Sequence, residues 1–235
     1  MTLAQAEDLD AVDVVPANTT GGEELALDVI QTEEDELDEL TEDELAGEAQ
    51  RLLQQGYQAL EQDDVEAAII AWQQAFDLYQ QLGDLLGEAQ TLGNLGYIAN
   101  QIGSYNQAIA LYQTALTIAR ELDDGELQLN FLGSLGLIYS TLNQVDQAIA
   151  AYESALLLAQ DQGNRAGEGA IAGGLAFAYE QTGRYQDAQA FYQLMLTVAT
   201  EQADQATIAV AESSLQRVEA AIAPDSIAPN SSADS

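Results

Sequence analysis

The chain has 235 residues, no cysteine and no histidine, and its five basic residues, all arginine, stand against 40 acidic ones for a formal net charge of −35. This composition excludes a disulfide framework, thiol redox chemistry and cysteine metal sites, and it removes the commonest general base and transition-metal ligand. The charge repels nucleic acid and anionic membranes and attracts basic partners, although strong acidity also serves solubility or adaptation to a salt-rich cell.

Residues 1–44 hold 16 of the acidic side chains and no basic one, punctuated by Pro16, Asn18, Gly21 and Gly22 and by the run Glu33 to Glu36. Such a stretch cannot bury enough apolar surface to offset its ordering entropy and self-repulsion, so residues 1–41 are expected to form an acidic disordered tail. Leu25, Leu27, Val29 and Ile30 form one apolar island in it, and Leu37 and Leu40 another. These islands read either as short docking helices or as incidental leucines. The opening Met-Thr-Leu-Ala-Gln-Ala-Glu-Asp has neither the basic start nor the apolar stretch of a signal peptide. No apolar run reaches the length of about 18 residues that a membrane span needs, so a cytoplasmic protein is the expectation.

Thr41 followed by Glu44 has the spacing of a capping box, which places the first helix start near residue 42. From there the sequence repeats at a fixed interval of 40 residues. Gly96 corresponds to Gly56, Gly136 and Ala176; Ala108 to Ala68, Ala148 and Ala188; Tyr112 to Trp72, Tyr152 and Tyr192; and Ala115 to Ala75, Ala155 and Met195. Four copies in one register predict a repeat array of paired helices, near 42–62 and 65–82, 85–102 and 105–122, 125–142 and 145–162, and 166–182 and 185–202. The repeats divide at 42–84, 85–124, 125–164 and 165–203, and all three prolines lie outside them. Residues 204–223 continue the register, with Leu215 where Leu175 stood, but carry Glu219 in place of the aromatic column; they read as a capping helix. A disordered tail over 224–235 is expected to follow.

The order of the columns (small at Gly96, Ala at Ala108, aromatic at Tyr112, Ala at Ala115) resembles the tetratricopeptide repeat (TPR) family over roughly residues 45–202. One feature departs from the common version: the proline that closes the second helix is replaced by Gln80, Arg120, Gln160 and Thr200. Without it the helix keeps its N–H and runs on, which accounts for the longer period. The wording from Gly83 through Gly87, Glu88 and Ala89 to Gly93, Asn94, Leu95 and Gly96 is similar to the long repeats of kinesin light chains and of G-protein-regulator scaffolds. The resemblance implies an all-α, right-handed superhelical solenoid of four helix-turn-helix repeats plus a C-terminal capping helix.

Leu92, Leu95, Gly96 and Ala99 share one face of their helix at spacings of three and four, as do Ala108, Tyr112, Ala115 and Leu116 on the next; these faces are expected to meet as core. The resemblance places the remaining face of each first helix on the inside of the superhelix. The candidate groove residues there are Tyr57, Gly93, Asn94, Tyr97, Asn100, Asn130, Ser134, Leu137, Ser140, Gly174, Phe177 and Glu180. Tyr57, Tyr97, Leu137 and Phe177 form an apolar ladder among small and neutral hydrogen-bonding residues, suited to apolar side chains and to a peptide backbone. Gly93, Gly133 and Gly173 serve either to leave room in this groove or to pack neighbouring repeats closely.

TPRs that clamp a chaperone's C-terminal carboxylate line this face with Lys, Asn and Arg; here only Asn94 remains, and the chain has no Lys, so that activity is not expected. No nucleophile–base pair, phosphate loop or calcium loop stands out, so no enzyme, metal or cofactor is expected. The expected role is an adaptor that holds a peptide or helix of a partner protein in the groove. The alternative is an acidic escort or decoy for a basic protein, with the array as carrier; stacking of arrays by self-association is a third.

Overall fold

The computed structural model describes residues 41–223. The tails expected before residue 41 and after residue 223 lie outside them. The chain divides into two units, Met1–Leu45 and Ala46–Ser235; of the first, only Thr41–Leu45 is described.

Nine helices fill the described residues: α1 Glu42–Glu61, α2 Val65–Leu82, α3 Leu85–Gln101, α4 Tyr105–Glu121, α5 Gly125–Thr141, α6 Val145–Asp161, α7 Arg165–Gln181, α8 Tyr185–Glu201 and α9 Gln205–Ile222. The capping box forms: Thr41 N–H donates to Glu44 Oε2 at 2.9 Å, and Glu44 N–H donates back to Thr41 Oγ1 at 3.4 Å. The Thr41 N–H, and then the Thr41 hydroxyl donating to Glu44 Oε2 at 2.8 Å, hold the exposed Glu44 carboxyl below its ordinary range.

All the turns are one turn. A left-handed residue recurs every 20 positions, at Asp63, Gly83, Gly103, Asp123, Asn143, Gly163, Gly183 and Ala203, with φ between 53° and 79°. After each, the next N–H donates to a carbonyl five residues back, from Asp64 to Ala59 through to Asp204 to Ala199, at 2.8–3.0 Å. This is the Schellman ending, which satisfies the carbonyls a helix leaves open at its C-terminus. The backbone period is therefore half the sequence period, and side chains vary from turn to turn. Asp84, Asp124, Asn164 and Asp204, which open α3, α5, α7 and α9, each cap their helix through the side chain. Asp64, which opens α2, does so too, accepting from Ala67 N–H at 3.1 Å, whereas Ser104, Gln144 and Arg184, which open α4, α6 and α8, do not.

The predicted core columns are buried. Ala68, Ala108, Ala148, Ala188, Ala75, Ala115 and Ala155 are shut from solvent, as are Trp72, Tyr112, Tyr152 and Tyr192 nearly so. The glycines at Gly56 and Gly136 admit the aromatic ring sixteen residues on: a Cβ there would lie 2.2 Å from Trp72 Nε1 and 2.6 Å from Tyr152 Cε1. A mid-helix glycine costs about 1 kcal/mol against alanine; ring burial at these contacts offsets it. The Trp72 indole N–H is satisfied by Leu53 O at 3.1 Å, so the ring enters the core without an orphan donor.

The odd-numbered helices also pack on one another, at a constant offset. Asn94 on α3 reaches Tyr57 on α1; the space beside Gly93 is filled by Phe131 of α5, and that beside Gly133 by Ile171 of α7; Arg217 on α9 reaches Glu180 on α7. Each step is 37 or 38 residues, slightly under the sequence period.

Candidate binding face

That offset sets the odd helices side by side, and α1, α3, α5 and α7 each leave a large apolar side chain exposed at the same register, apart from Leu86 at the start of α3. Tyr57, Tyr97, Leu137 and Phe177 are 36%, 45%, 54% and 48% exposed. They occupy the same register on α1, α3, α5 and α7, a row of one side chain per repeat at 40-residue spacing.

The polar candidates around the row are held by neighbours. Asn94 Nδ2 donates to Tyr57 OH at 2.8 Å, tying α3 to α1 across the face. Tyr97 OH accepts from Gln101 Nε2 at 3.0 Å. Ser134 Oγ donates to the Asn130 carbonyl at 2.9 Å, while the Asn130 side chain stands in solvent. Asn100 is half-buried at the end of α3. Ser140 Oγ is buried without a hydrogen-bond partner.

The glycines pack rather than open the face. A Cβ on Gly93 would sit 2.7 Å from Phe131 Cε1, and one on Gly174 would sit 2.6 Å from Tyr152 Cζ. A Cβ on Gly133 would sit 3.1 Å from Ile171 Cδ1, and one on Gly173 would sit 3.0 Å from Met195 Sδ. Of the two readings of these small residues, close packing is the one the geometry carries.

Glu180, the one carboxylate among the candidates, is already engaged. Arg217 grips it from two points, Nε to Oε1 at 2.6 Å and Nη2 to Oε2 at 2.9 Å, and Tyr192 OH donates to Oε2 at 2.9 Å. Arg217 holds the carboxyl below its ordinary range. Burial, and then the neighbouring carboxylate, push the Tyr192 phenol up to about 12. Glu180 thus closes the far end of the row. Arg217 was not among the residues picked from sequence, and Tyr192 was picked only for the aromatic core column. The signal for Arg217 was there: it is one of five cations and stands 40 residues beyond Phe177.

A separate open depression of about 410 Å³ lies between α4, α5 and α6, floored by Leu116, Leu132 and Leu135, with Gln113 bonded to Tyr139 OH at its edge. It shares no residue with the row. Among the described residues no three potential ligands gather as a metal site, and no helix is long and apolar enough to cross a membrane.

The tetratricopeptide repeat family profile matches residues 48–121 and again 127–201. The chain belongs to the tetratricopeptide repeat family. No curated protein matches the sequence. Among solved structures, this TPR array is similar to aspartyl phosphate phosphatase F from Bacillus subtilis, with a TM-score of 0.67 and 14% identity over 74% of this chain and 47% of that one. It is similar also to the apo form of RapI, with a TM-score of 0.68 and 15% identity over 74% of this chain and 63% of that one. A signal-transduction ATPase with numerous domains and a TPR sensor, from Pyrococcus horikoshii, gives a TM-score of 0.67 and 16% identity over 72% and 26%. The TPR array spans less than two thirds of each of these proteins. At such identities the likeness is one of fold: an all-α helical-repeat solenoid.

Proposed function

We propose that this protein is a cytoplasmic TPR adaptor that holds a segment of another protein on the face carrying Tyr57, Tyr97, Leu137 and Phe177. One observation carries the reading: four large apolar side chains, one per repeat, stand in register on touching helices and remain about half exposed. Large apolar side chains left exposed at one position of every repeat are the kind of surface that marks an interaction site. Binding suits the face better than catalysis. Its polar groups are amides and hydroxyls, its one carboxylate is consumed by Arg217, and the chain offers no His or Cys. In this reading residues 42–203 are the recognition array, 204–223 its end cap, and 1–41 an acidic appendage.

The second reading, an acidic escort for a basic protein, is favoured by the 16 carboxylates within residues 1–44. Capture from lysate separates the two. Bait carrying Leu137→Asp and Phe177→Asp should lose its specific partner, and bait lacking residues 1–40 should keep it. The opposite pattern would transfer the function to the tail.

A further inference from the structure

The depression between α4, α5 and α6 can be compared with the next step of the array, 40 residues on. There Tyr179 of α7 stands where Tyr139 stands on α5, and its ring stacks on Phe191 of α8, with centroids 5.6 Å apart and planes at 13°. The two steps correspond in detail. Tyr179 OH donates to Glu153 Oε1 at 2.6 Å, and Tyr139 OH accepts from Gln113 Nε2 at 3.0 Å, each pair 26 residues apart. The place of Phe191 is held on α6 by Ala151, and one step earlier by Leu111 of α4. Leu111 and Phe191 both pack against the core. Ala151 therefore leaves open, beside Tyr139, the space that a ring fills beside Tyr179.

The lining is neutral but for one cation. No carboxylate borders the depression, and Gln113 and Gln147 stand where the next step has Glu153 and Asp187. Arg120 does border it. Arg51, Arg165, Arg184 and Arg217 each pair with a carboxylate, whereas among the described residues Arg120 makes no ion pair. Glu121, Asp123 and Asp124 follow it in sequence, yet none comes within pairing distance. Exposed charges beyond about 8 Å are largely screened at physiological salt, so this local lining outweighs the net charge of the chain.

We propose that the depression is a binding site for a small aromatic carboxylate, its ring beside Tyr139 in the space Ala151 leaves and its carboxylate on Arg120. Position sets the shape of the ligand. Arg120 lies seven residues beyond Gln113, whose amide bonds the Tyr139 hydroxyl, or about 10 Å along α4 at ~1.5 Å per residue. The flexible Arg120 stem and a linker of a few carbons between ring and carboxylate cover that distance. The surroundings select a small molecule over a polypeptide. The volume of about 410 Å³ falls within the roughly 300–1,000 Å³ of small-molecule sites. Leu111 and Phe191 hold the corresponding places on either side, so the hollow does not run on as a groove for an extended chain. The site shares no residue with the apolar row and does not rest on the adaptor reading.

The test titrates the full chain with 4-phenylbutyrate at physiological salt, following the ring protons of the ligand by nuclear magnetic resonance. Its neutral amide and ring-free butyrate are run beside it. Ala151→Phe refills the space as Phe191 does, and Ala151→Leu refills it more gently, as Leu111 does; circular dichroism checks that each folds. Arg120→Gln removes the cation, and Arg51→Gln removes one elsewhere. We expect saturable binding of 4-phenylbutyrate at millimolar concentration or below. It should be lost in whichever Ala151 variants fold and weakened at least fivefold by Arg120→Gln, by the amide or by loss of the ring, but less than twofold by Arg51→Gln. Binding that survives a folded Ala151 variant, an amide or butyrate as good as the acid, equal effects of the two arginine variants, or no saturable binding would each overturn the proposal.

Discussion

Arg217 stands one sequence period beyond Phe177, in the position where the next ladder residue would fall, and there it binds Glu180 at 2.6 and 2.9 Å rather than facing an incoming chain. The row of apolar side chains therefore ends in an ion pair. The pair does two things at once: it docks α9 on α7, and it removes the one negative charge of the face.

Breaking the pair should loosen the end of the array before the rest. Arg217 is half exposed and Glu180 largely covered, so Arg217→Ala leaves a screened carboxylate without its partner. We expect a loss of about 1 kcal/mol, at the upper end for exposed pairs because the geometry is two-pointed. Hydrogen exchange should show it as faster opening of α9 with α3 to α6 unchanged. Uniform acceleration along the chain would contradict a local lock.

The same cluster sets the response to pH. Tyr179 and Tyr192 are both raised to about 12, by burial first and then by hydrogen bonds to Glu153 and Glu180. A raised folded value favours the neutral phenol, so their contribution is complete below the ordinary value of about 10 and disappears as pH climbs through 12. Glu180 runs the other way: its lowered value means stability present above the ordinary carboxylate range and lost as pH falls through the folded value. Helical ellipticity at fixed temperature should hold from pH 8 to 9.5 and fall between 10 and 12, less steeply in Tyr192→Phe. A flat profile to pH 12 would refute the assignment.

Ala203 sits at φ 57°, where its Cβ crowds the backbone, and it alone of the eight turn residues is neither Gly, Asp nor Asn. Ala203→Gly should stabilise by about 1 kcal/mol, or roughly 2–4 °C in Tm for a chain of this size. The converse change at Gly103 or Gly183 should cost a similar amount through the backbone alone, since a Cβ there meets nothing within 4 Å. Thermal melts of the three variants decide it.

The glycines under the aromatic column are not equivalent. At Gly136 a Cβ would collide with Tyr152 at 2.6 Å, whereas at Gly96 it would meet Tyr112 at 3.2 Å. Gly136→Ala should destabilise by about 1–3 kcal/mol. Gly96→Ala should be near neutral, with tighter contact offset by about 1 kcal/mol of helix propensity; the fourth repeat already carries Ala176 there. Equal denaturant midpoints for the two variants would mean the rings yield more than the packing implies.

Much of this was readable beforehand, and the boundary between readable and unreadable has a physical cause. The helices and their inner faces follow from apolar periodicity within one helix, so Ala108, Tyr112 and their equivalents could be placed without coordinates. The shared turn was hidden because only Gly83, Gly103, Gly163 and Gly183 announce a left-handed residue, while Asp63, Asp123, Asn143 and Ala203 adopt the same φ under other side chains. The neighbours of Gly93 and Glu180 were hidden for another reason. They lie across an interface between repeats, at an offset of 37 or 38 residues set by how the helices tilt. A strict 40-residue comparison aligns equivalent residues, not touching ones. The exposed row survived this blindness because exposure repeats with the period.

The central claim is that the apolar row, not the acidic charge, holds the partner. The most direct measurement is the affinity of the captured partner for the native chain and for Asn94→Ala with Phe177→Ala, across a salt series. Asn94→Ala removes the bond that orders Tyr57, and Phe177→Ala removes one member of the row. Apolar burial is little affected by salt, whereas exposed charge pairs are screened beyond about 8 Å at physiological ionic strength. We expect the double variant to weaken binding at least tenfold at every salt concentration, with only a modest salt slope in the native chain. Binding that is untouched by the double variant and vanishes in high salt would contradict the claim.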